Sequence, residues 1–200
     1  FDSAPLAPDY AFILKEEKQH FETGLKALNK LTSGKVYVGI SQRQPIDVKN
    51  ATSVIFDGPH PAGNVGIQIN HIAPINKGDT VWTMSALDVL FIGRLFDKGI
   101  ADFSRIVAVT GSEIDDPHYV RTRIGASIAS ITQGMVKAVE YEQRYISGNV
   151  LTGVKTNADG YIGATHSQIT VIPEGNNYDE FLGWASLNPH KYSTSHSYFS

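Results

Sequence analysis

The sequence contains no cysteine, which excludes a disulfide framework, an iron–sulfur cluster, a thiolate zinc site and a cysteine nucleophile. Any covalent chemistry falls to Ser, Thr, Lys, His or carboxylates. The chain also lacks an excess of either charge. Its 17 Lys and Arg stand against 20 Asp and Glu, a formal net charge of −3 with no blocks of one sign. That balance does not suit a surface that covers a phosphate backbone, so nucleic acid is not an expected partner. Long hydrophobic runs are missing as well. The longest mostly apolar stretch, Leu87–Phe96, is about half a bilayer span, and Asp88 and Arg94 interrupt it. No basic segment leads into an apolar core and a small-residue cleavage site, so no signal peptide is expected. The opening Phe1-Asp2-Ser3, without Met, reads as a piece of a longer protein.

What is present is an ordinary globular composition: 200 residues, 42% hydrophobic, enough for one roomy domain or two small ones. The 18 Gly and 9 Pro are spread along the chain and signal many tight turns. After a Pro-punctuated lead-in, the spacing of Leu14, Phe21, Leu25 and Leu28 predicts a helix over Asp9–Leu31. Val36–Ile40 and Ser53–Phe56 read as strands, and Thr80–Thr83 as a short third one. Ser85 is placed to cap a helix whose apolar face is Leu87, Leu90, Phe91 and Leu95, with Lys98 and Gly99 as its end signals. Arg105–Val109 is the next strand, closed by Gly111. This order predicts a small parallel α/β sheet. Beyond Pro117 the pattern changes. Tyr119–Ile124 reads as extended, Ala126–Thr132 as a helical turn, and Tyr145–Val150, Tyr161–Thr165 and Gln168–Ile172 as strands in a compact α+β unit such as a β-grasp. The boundary is expected at about residues 111–117.

The most unusual local sequence is Gly58-Pro59-His60-Pro61-Ala62-Gly63-Asn64-Val65-Gly66. A Gly-rich turn after a strand can expose backbone N–H groups to a ligand, with His60 or His71 adding a hydrogen bond. The same residues also make a rigid turn, and the spacing matches neither G-x-G-x-x-G nor G-x-x-x-x-G-K-[ST]. No histidine has a metal-binding spacing, and His60, His71, His118, His166, His190 and His196 read as solvated or structurally bonded imidazoles. No G-x-S-x-G elbow supports a hydrolase, and no catalytic residue is assigned. Asp115, Asp116, Glu140 and Glu142 read as a soluble surface. Arg121 and Arg123, two apart in a strand, share a face and either dock a partner, bind an anion or form surface salt bridges. Tyr192, Tyr198 and Phe199 are expected to pack on something outside this chain.

Five collinear strings carry a resemblance: FDGPHPAG (Phe56–Gly63), VRTRIGAS (Val120–Ser127), ISGNVLTG (Ile146–Gly153), QITVIPEG (Gln168–Gly175) and FLGW (Phe181–Trp184). Together, over nearly the whole chain, they closely resemble the A-subunit family of the bacterial sodium-translocating NADH:quinone oxidoreductases, with this chain as its central part. The resemblance implies a Rossmann-like parallel α/β domain over 1–112 and a β-grasp (soluble-ligand-binding) domain with a C-terminal extension over 113–200. It implies a peripheral subunit on the cytoplasmic side of the bacterial inner membrane, within a translocase that oxidises NADH, reduces ubiquinone and exports sodium.

The resemblance further implies that this chain carries no redox centre of its own, and the histidine spacing leaves no metal site expected. NADH, FAD and other flavins would sit on partner subunits, and membrane contact would run through those partners. Relatives outside the family hold FMN and NADH in a Gly-rich loop, but Gly58, Gly63 and Gly66 do not reproduce that fingerprint. Ubiquinone is a candidate ligand, in an apolar slot with His60 or His71 as donor and Trp82 or Phe91 as a wall. Two rival readings are an independent flavin- or NADH-binding oxidoreductase domain and a pure protein-docking module using Arg121 and Arg123.

Overall fold

A computed structural model describes residues 1–176. The strings and side chains singled out beyond that point (Phe181–Trp184, His190, Tyr192, His196, Tyr198 and Phe199) lie outside the described residues.

The expected long first helix is two helices. Asp9 Oδ1 accepts from Ala11 N and Phe12 N and starts α1 (Tyr10–Leu14); α2 (Lys18–Leu31) follows after a break at Lys15–Glu17. The break has a tertiary cause: Glu17 turns inward to meet Arg94, and helix propensity yields to that contact. β1 (Tyr37–Ser41) and β2 (Thr52–Phe56) pair in parallel, Tyr37 opposite Thr52 and Ser41 opposite Phe56. A helix not expected from the pattern, α3 (Val65–Ile72), comes next. It escaped a periodicity reading because Gln68 is the residue it buries, while Val65 and Ile67 are exposed. Thr80–Thr83 is not a strand; it is exposed and has no neighbouring strand to complete its hydrogen bonds.

The next helix matches its expected signals. In α4 (Ala86–Lys98), Ser85 and Asp88 form a capping box, and Gly99 closes the end in the left-handed conformation. Leu87, Val89, Leu90 and Phe91 are buried, whereas Leu95 is exposed, so the apolar face is rotated from the expected one. α2 and α4 cross at glycines. A Cβ on Gly93 would collide with the His20 carbonyl, and one on Gly24 with the Val89 carbonyl. The helices approach to backbone contact, and the core of Phe21, Leu25, Leu90 and Phe91 closes beside the crossing.

The second sheet has five strands in the order β4-β3-β7-β5-β6. They are β3 (Ser104–Thr110), β4 (His118–Arg123), β5 (Gln143–Ser147), β6 (Val154–Thr156) and β7 (Gln168–Pro173). β3 does not extend the β1–β2 pair as the α/β pattern suggested. It runs antiparallel to β4 and parallel to β7. β5 ends earlier than expected because the chain turns at Gly148 (φ +101°) and Asn149 Oδ1 captures Leu151 N and Thr152 N at 2.9 Å each. Tyr161–Thr165 is irregular rather than a strand: the Gly163 and Ala164 carbonyls accept from Arg105, and Gly163 N donates to Ser147 Oγ. The short α5 (Ile128–Ile131) fills the helical turn expected there.

Two cores result, with β3 between them. Ile106 packs against the α1/α2/α4 core, whereas Val107 and Val109 belong to the core of Ile114, Ile128, Ile131, Ile162, Ile169 and Val171. The lead-in residues bridge the two sheets. Gln168 Nε2 donates to Pro5 O (3.4 Å), Asp9 N donates to Tyr119 Oη (2.8 Å), Tyr10 Oη bonds Ser167 Oγ (3.0 Å), and Phe12 stacks on Tyr119 with centroids 4.7 Å apart.

Two outcomes follow from this packing. Gly93→Ala should lower stability in urea unfolding by about 1–3 kcal/mol or more, because neither backbone at the crossing can give way. Hydrogen bonds from the Ser104 side chain and backbone N–H hold the Asp102 carboxyl down at about 2, against 3.8 when free. Its stabilising contribution is complete above pH 3.8 and is lost as pH falls toward about 2. Asp102→Asn should therefore flatten the acid limb of the stability profile in that window, measured by urea midpoint against pH.

Candidate functional site

The loop after β2 is built by residues remote in sequence. Ser3 Oγ accepts the Gly63 N–H at 2.8 Å and bonds His60 Nδ1 at 3.1 Å. The loop therefore takes its shape from the lead-in segment. A Cβ at Gly63 would strike the Ser3 backbone, which explains the glycine by close approach. Gln68 Nε2 donates to Gly63 O at 3.2 Å from the buried side of α3, and its side chain fills the space above Gly39 of β1 that a larger residue would occupy. The Phe1 backbone nitrogen donates to Gly39 O at 2.9 Å, so the lead-in runs from β1 to the loop. Gly58 adopts φ +133° at the loop entrance, where a side chain would be strained.

The four candidate ligand residues divide into two places. Gly58, His60 and Gly63 share the loop that Ser3 holds. His71 lies in the last turn of α3 with its ring edge-on to Phe56, 6.5 Å between centroids. No hydrogen bond or ring contact joins His60 to His71 among the described residues. Phe91 is turned into the α2–α4 core, edge-to-face with Phe103 at 5.6 Å, and Trp82 is 91% exposed. Arg121 is engaged within the chain, 3.7 Å from Glu16 and 3.8 Å from Glu17, whereas Arg123 is exposed at the end of the edge strand β4. Arg121 therefore helps bind the second sheet to the α1–α2 corner.

A second polar constellation lies in the five-stranded sheet, where no sequence signal marked it. Arg105 is 1% exposed and donates to the carbonyls of Ala164 (2.6 Å) and Gly163 (2.8 Å), and its Nε has no partner. Desolvation pulls its guanidinium below the usual arginine value. Ser147 Oγ lies 2.8 Å from His166 Nδ1. Burial, with a smaller effect from Arg105, pushes the His166 imidazole below 6.5 and so favours its neutral form. Burial also raises the Tyr10 phenol, which bonds the neighbouring Ser167. Serine and histidine in contact are the start of a nucleophilic pair, but the charged neighbour is a cation, which disfavours an imidazolium. The arrangement suits binding better than acid–base catalysis. Among the described residues no group of three or more His, Asp or Glu is disposed to hold a metal ion. None of their helices is long and apolar enough to cross a membrane.

The comparisons with known proteins agree along the chain. A family model described as the NqrA second alpha/beta domain matches residues 1–101, and another described as the NQRA C-terminal domain matches residues 106–158. The A subunit of a Na(+)-translocating NADH-quinone reductase from Hahella chejuensis is 42% identical over 206 residues, covering 100% of this chain and 45% of the relative. Proteins of the same name from Neisseria meningitidis serogroup C and Yersinia pestis biovar Antiqua are each 40% identical over 196 residues, covering 96% of this chain and 43% of the relative. The chain thus spans less than half the length of the curated relatives it matches. With one family model over half the chain and the second over much of the remainder, the chain belongs to the NqrA family, that of the A subunits of Na(+)-translocating NADH-quinone reductases.

Proposed function

We propose that this chain acts as part of a peripheral A subunit in a sodium-translocating NADH:quinone oxidoreductase, held on the cytoplasmic side of the bacterial inner membrane by partner subunits. The observation that carries this reading is the similarity at 40–42% identity over 96–100% of the chain to relatives bearing that subunit's name. In this reading the chain is a structural element of an oxidoreductase and translocase, with NADH, FAD and other flavins on its partners. The unit built on β1, β2, α2, α3 and α4 is Rossmann-like, and the five-stranded unit is β-grasp-like. The division drawn at 112/113 then moves ahead of β3, whose hydrogen bonds run to β4 and β7.

Within that role, the loop of Gly58, His60 and Gly63, with His71 at the end of α3, is the proposed contact for quinone or for a neighbouring subunit. Support comes from its construction. Ser3 and Gln68 hold the backbone, while the neighbouring Val65, Ile67, Ile75, Val81 and Trp82 are exposed and available to an apolar ligand or partner. Arg123, exposed on the edge strand, is the proposed charged docking contact; Arg121 contributes from the position it takes beside Glu16 and Glu17.

Two measurements test this reading. Immobilised chain should retain the other subunits of the complex from detergent-solubilised membranes of a bacterium carrying a close NqrA relative, and Arg123→Glu should lower retention by roughly tenfold. A protein that retains none of them does not belong to that complex. In amide NMR of the chain, a short-tailed ubiquinone should give saturable shifts confined to Gly58–His71, and NADH should give none. Shifts with NADH alone favour the independent nucleotide-binding enzyme, and silence toward both favours a docking module.

A further inference from the structure

At the amino ends of β1 and β2, away from the Gly58–Gly63 loop, the surface opens into a groove of about 540 Å³. Lys26, Asn29 and Lys30 line it from α2, and Lys35, Asn50 and Thr52 from the starts of the two strands. No Asp or Glu lines it among the described residues. Its parts are tied together by backbone acceptors. Asn29 Nδ2 donates to the Leu25 carbonyl at 3.0 Å and to the Asn50 carbonyl, and Thr52 N donates to Val36 O at 2.9 Å.

The charge in this groove is left over. Lys18, Lys98 and Lys155 each meet a carboxylate at 2.7–3.5 Å, but Lys26, Lys30 and Lys35 form no ion pair among the described residues. Glu22 and Asp97 line an adjoining groove that shares Lys26, and both stay beyond ion-pair distance of it. Lys26 and Lys30 stand one turn apart on α2, a like-charge spacing that weakens a helix. The negative end of the helix dipole accounts for Lys30 in the last turn. It accounts neither for Lys26, a turn earlier, nor for Lys35 beyond the helix. Three unpaired ammonium groups around one groove suit an anion from outside the chain.

Two observations say which anion. Open α/β sheets hold small ligands outside the carboxyl ends of their strands, and this groove lies open at the opposite end, where an extended anionic surface can reach it. Leu31, which follows Lys30 at the end of α2, is 81% exposed, and Thr32, Ser33 and Gly34 after it are exposed as well. A leucine set between lysines matches a lipid interface, where ammonium groups meet phosphates and the apolar side chain enters the acyl boundary. Because the whole chain carries a formal charge of −3, its attraction to such a surface must come from a local cluster. We propose that this groove is a contact for anionic phospholipid headgroups, with Lys26, Lys30 and Lys35 on phosphate oxygens and Leu31 in the bilayer interface. It adds a direct membrane contact to the one made through partner subunits, and it is independent of the Gly58–His71 loop.

The test is flotation of the whole chain with vesicles of phosphatidylglycerol and phosphatidylcholine in equal parts, against vesicles of phosphatidylcholine alone. The chain should float with the anionic vesicles only, and added salt should release it. Lys30→Gln with Lys35→Gln should weaken binding by roughly tenfold, whereas Lys15→Gln with Lys77→Gln, an equal change of charge outside the groove, should keep it within about threefold. Leu31→Ser should weaken binding by roughly threefold and leave its salt dependence in place. All five positions are exposed, so circular dichroism should show the fold unchanged in each variant. Inorganic phosphate, followed by amide NMR, separates a soluble anion from a lipid surface. No flotation with anionic vesicles, equal loss in the two double variants, or saturable phosphate shifts at Lys26–Lys35 without flotation would each overturn the proposal. None of these outcomes touches the subunit reading, which is decided by retention of the partner subunits.

Discussion

Arg94 is a charged residue in the middle of the longest apolar stretch, and the two halves of the chain meet around it. Its side chain is 2% exposed. Nη2 and Nε grip the Glu17 carboxylate at 2.6 and 3.2 Å, while Nη1 donates to Ser104 O at 2.5 Å and Asp102 O at 3.3 Å. One guanidinium thus joins the α1–α2 corner, the body of α4 and the first residue of β3. A buried cation is tolerated only when paired and fully hydrogen-bonded, and here five acceptor atoms surround it, the fifth being Ser104 Oγ at 3.2 Å from Nη1. The pairing lowers the Glu17 carboxyl below its ordinary value. Arg121 approaches the same carboxylate from β4 at 3.8 Å, so α4 and the five-stranded sheet converge on one acidic side chain.

The geometry of both candidate sites descends from this junction. Because Glu17 fixes the corner, α1 and the lead-in are laid across β4 and β7, where Tyr119, Ser167 and Gln168 receive them. The same lead-in carries Ser3 to the loop after β2. That loop is shaped less by its own prolines and glycines than by a serine some sixty residues upstream. In the second sheet Arg105 plays a comparable part: its bonds to the Gly163 and Ala164 carbonyls draw that segment out of the ladder and set it over Ser147 and His166.

Local signals in the sequence were legible where structure is decided locally. Ser85, Asp88 and Gly99 act through bonds within a turn or two, and the ends of α4 followed from them. The apolar strings of β3 and β7 are buried on both faces and read directly as strands. Long-range polar contacts were not legible. Glu17 looks like one of the solvated acids of a continuous helix until Arg94 is seen beside it, and β3 reads as the next parallel strand until β7, some sixty residues later, pairs with it. The site residues follow the same rule. Gly58, His60 and Gly63 stood out as a composition, but Ser3 and Gln68, which hold them, carry no motif. His166 read as one more structural imidazole, because neither its spacing to Ser147 nor that to Arg105 is diagnostic. Family membership was legible through five collinear strings, which no single-element argument could have supplied.

Native-state amide exchange tests the claim that the Glu17–Arg94 junction makes one cooperative body of the α2–α4 pair and the five-stranded sheet. The slowest amides of α2 and α4, around Leu25 and Leu90, and those of β3 and β7, around Val107 and Ile169, should share one opening free energy. Glu17→Gln should lower both sets together. Two separate opening energies, with Glu17→Gln lowering only the α2–α4 set, would contradict the account.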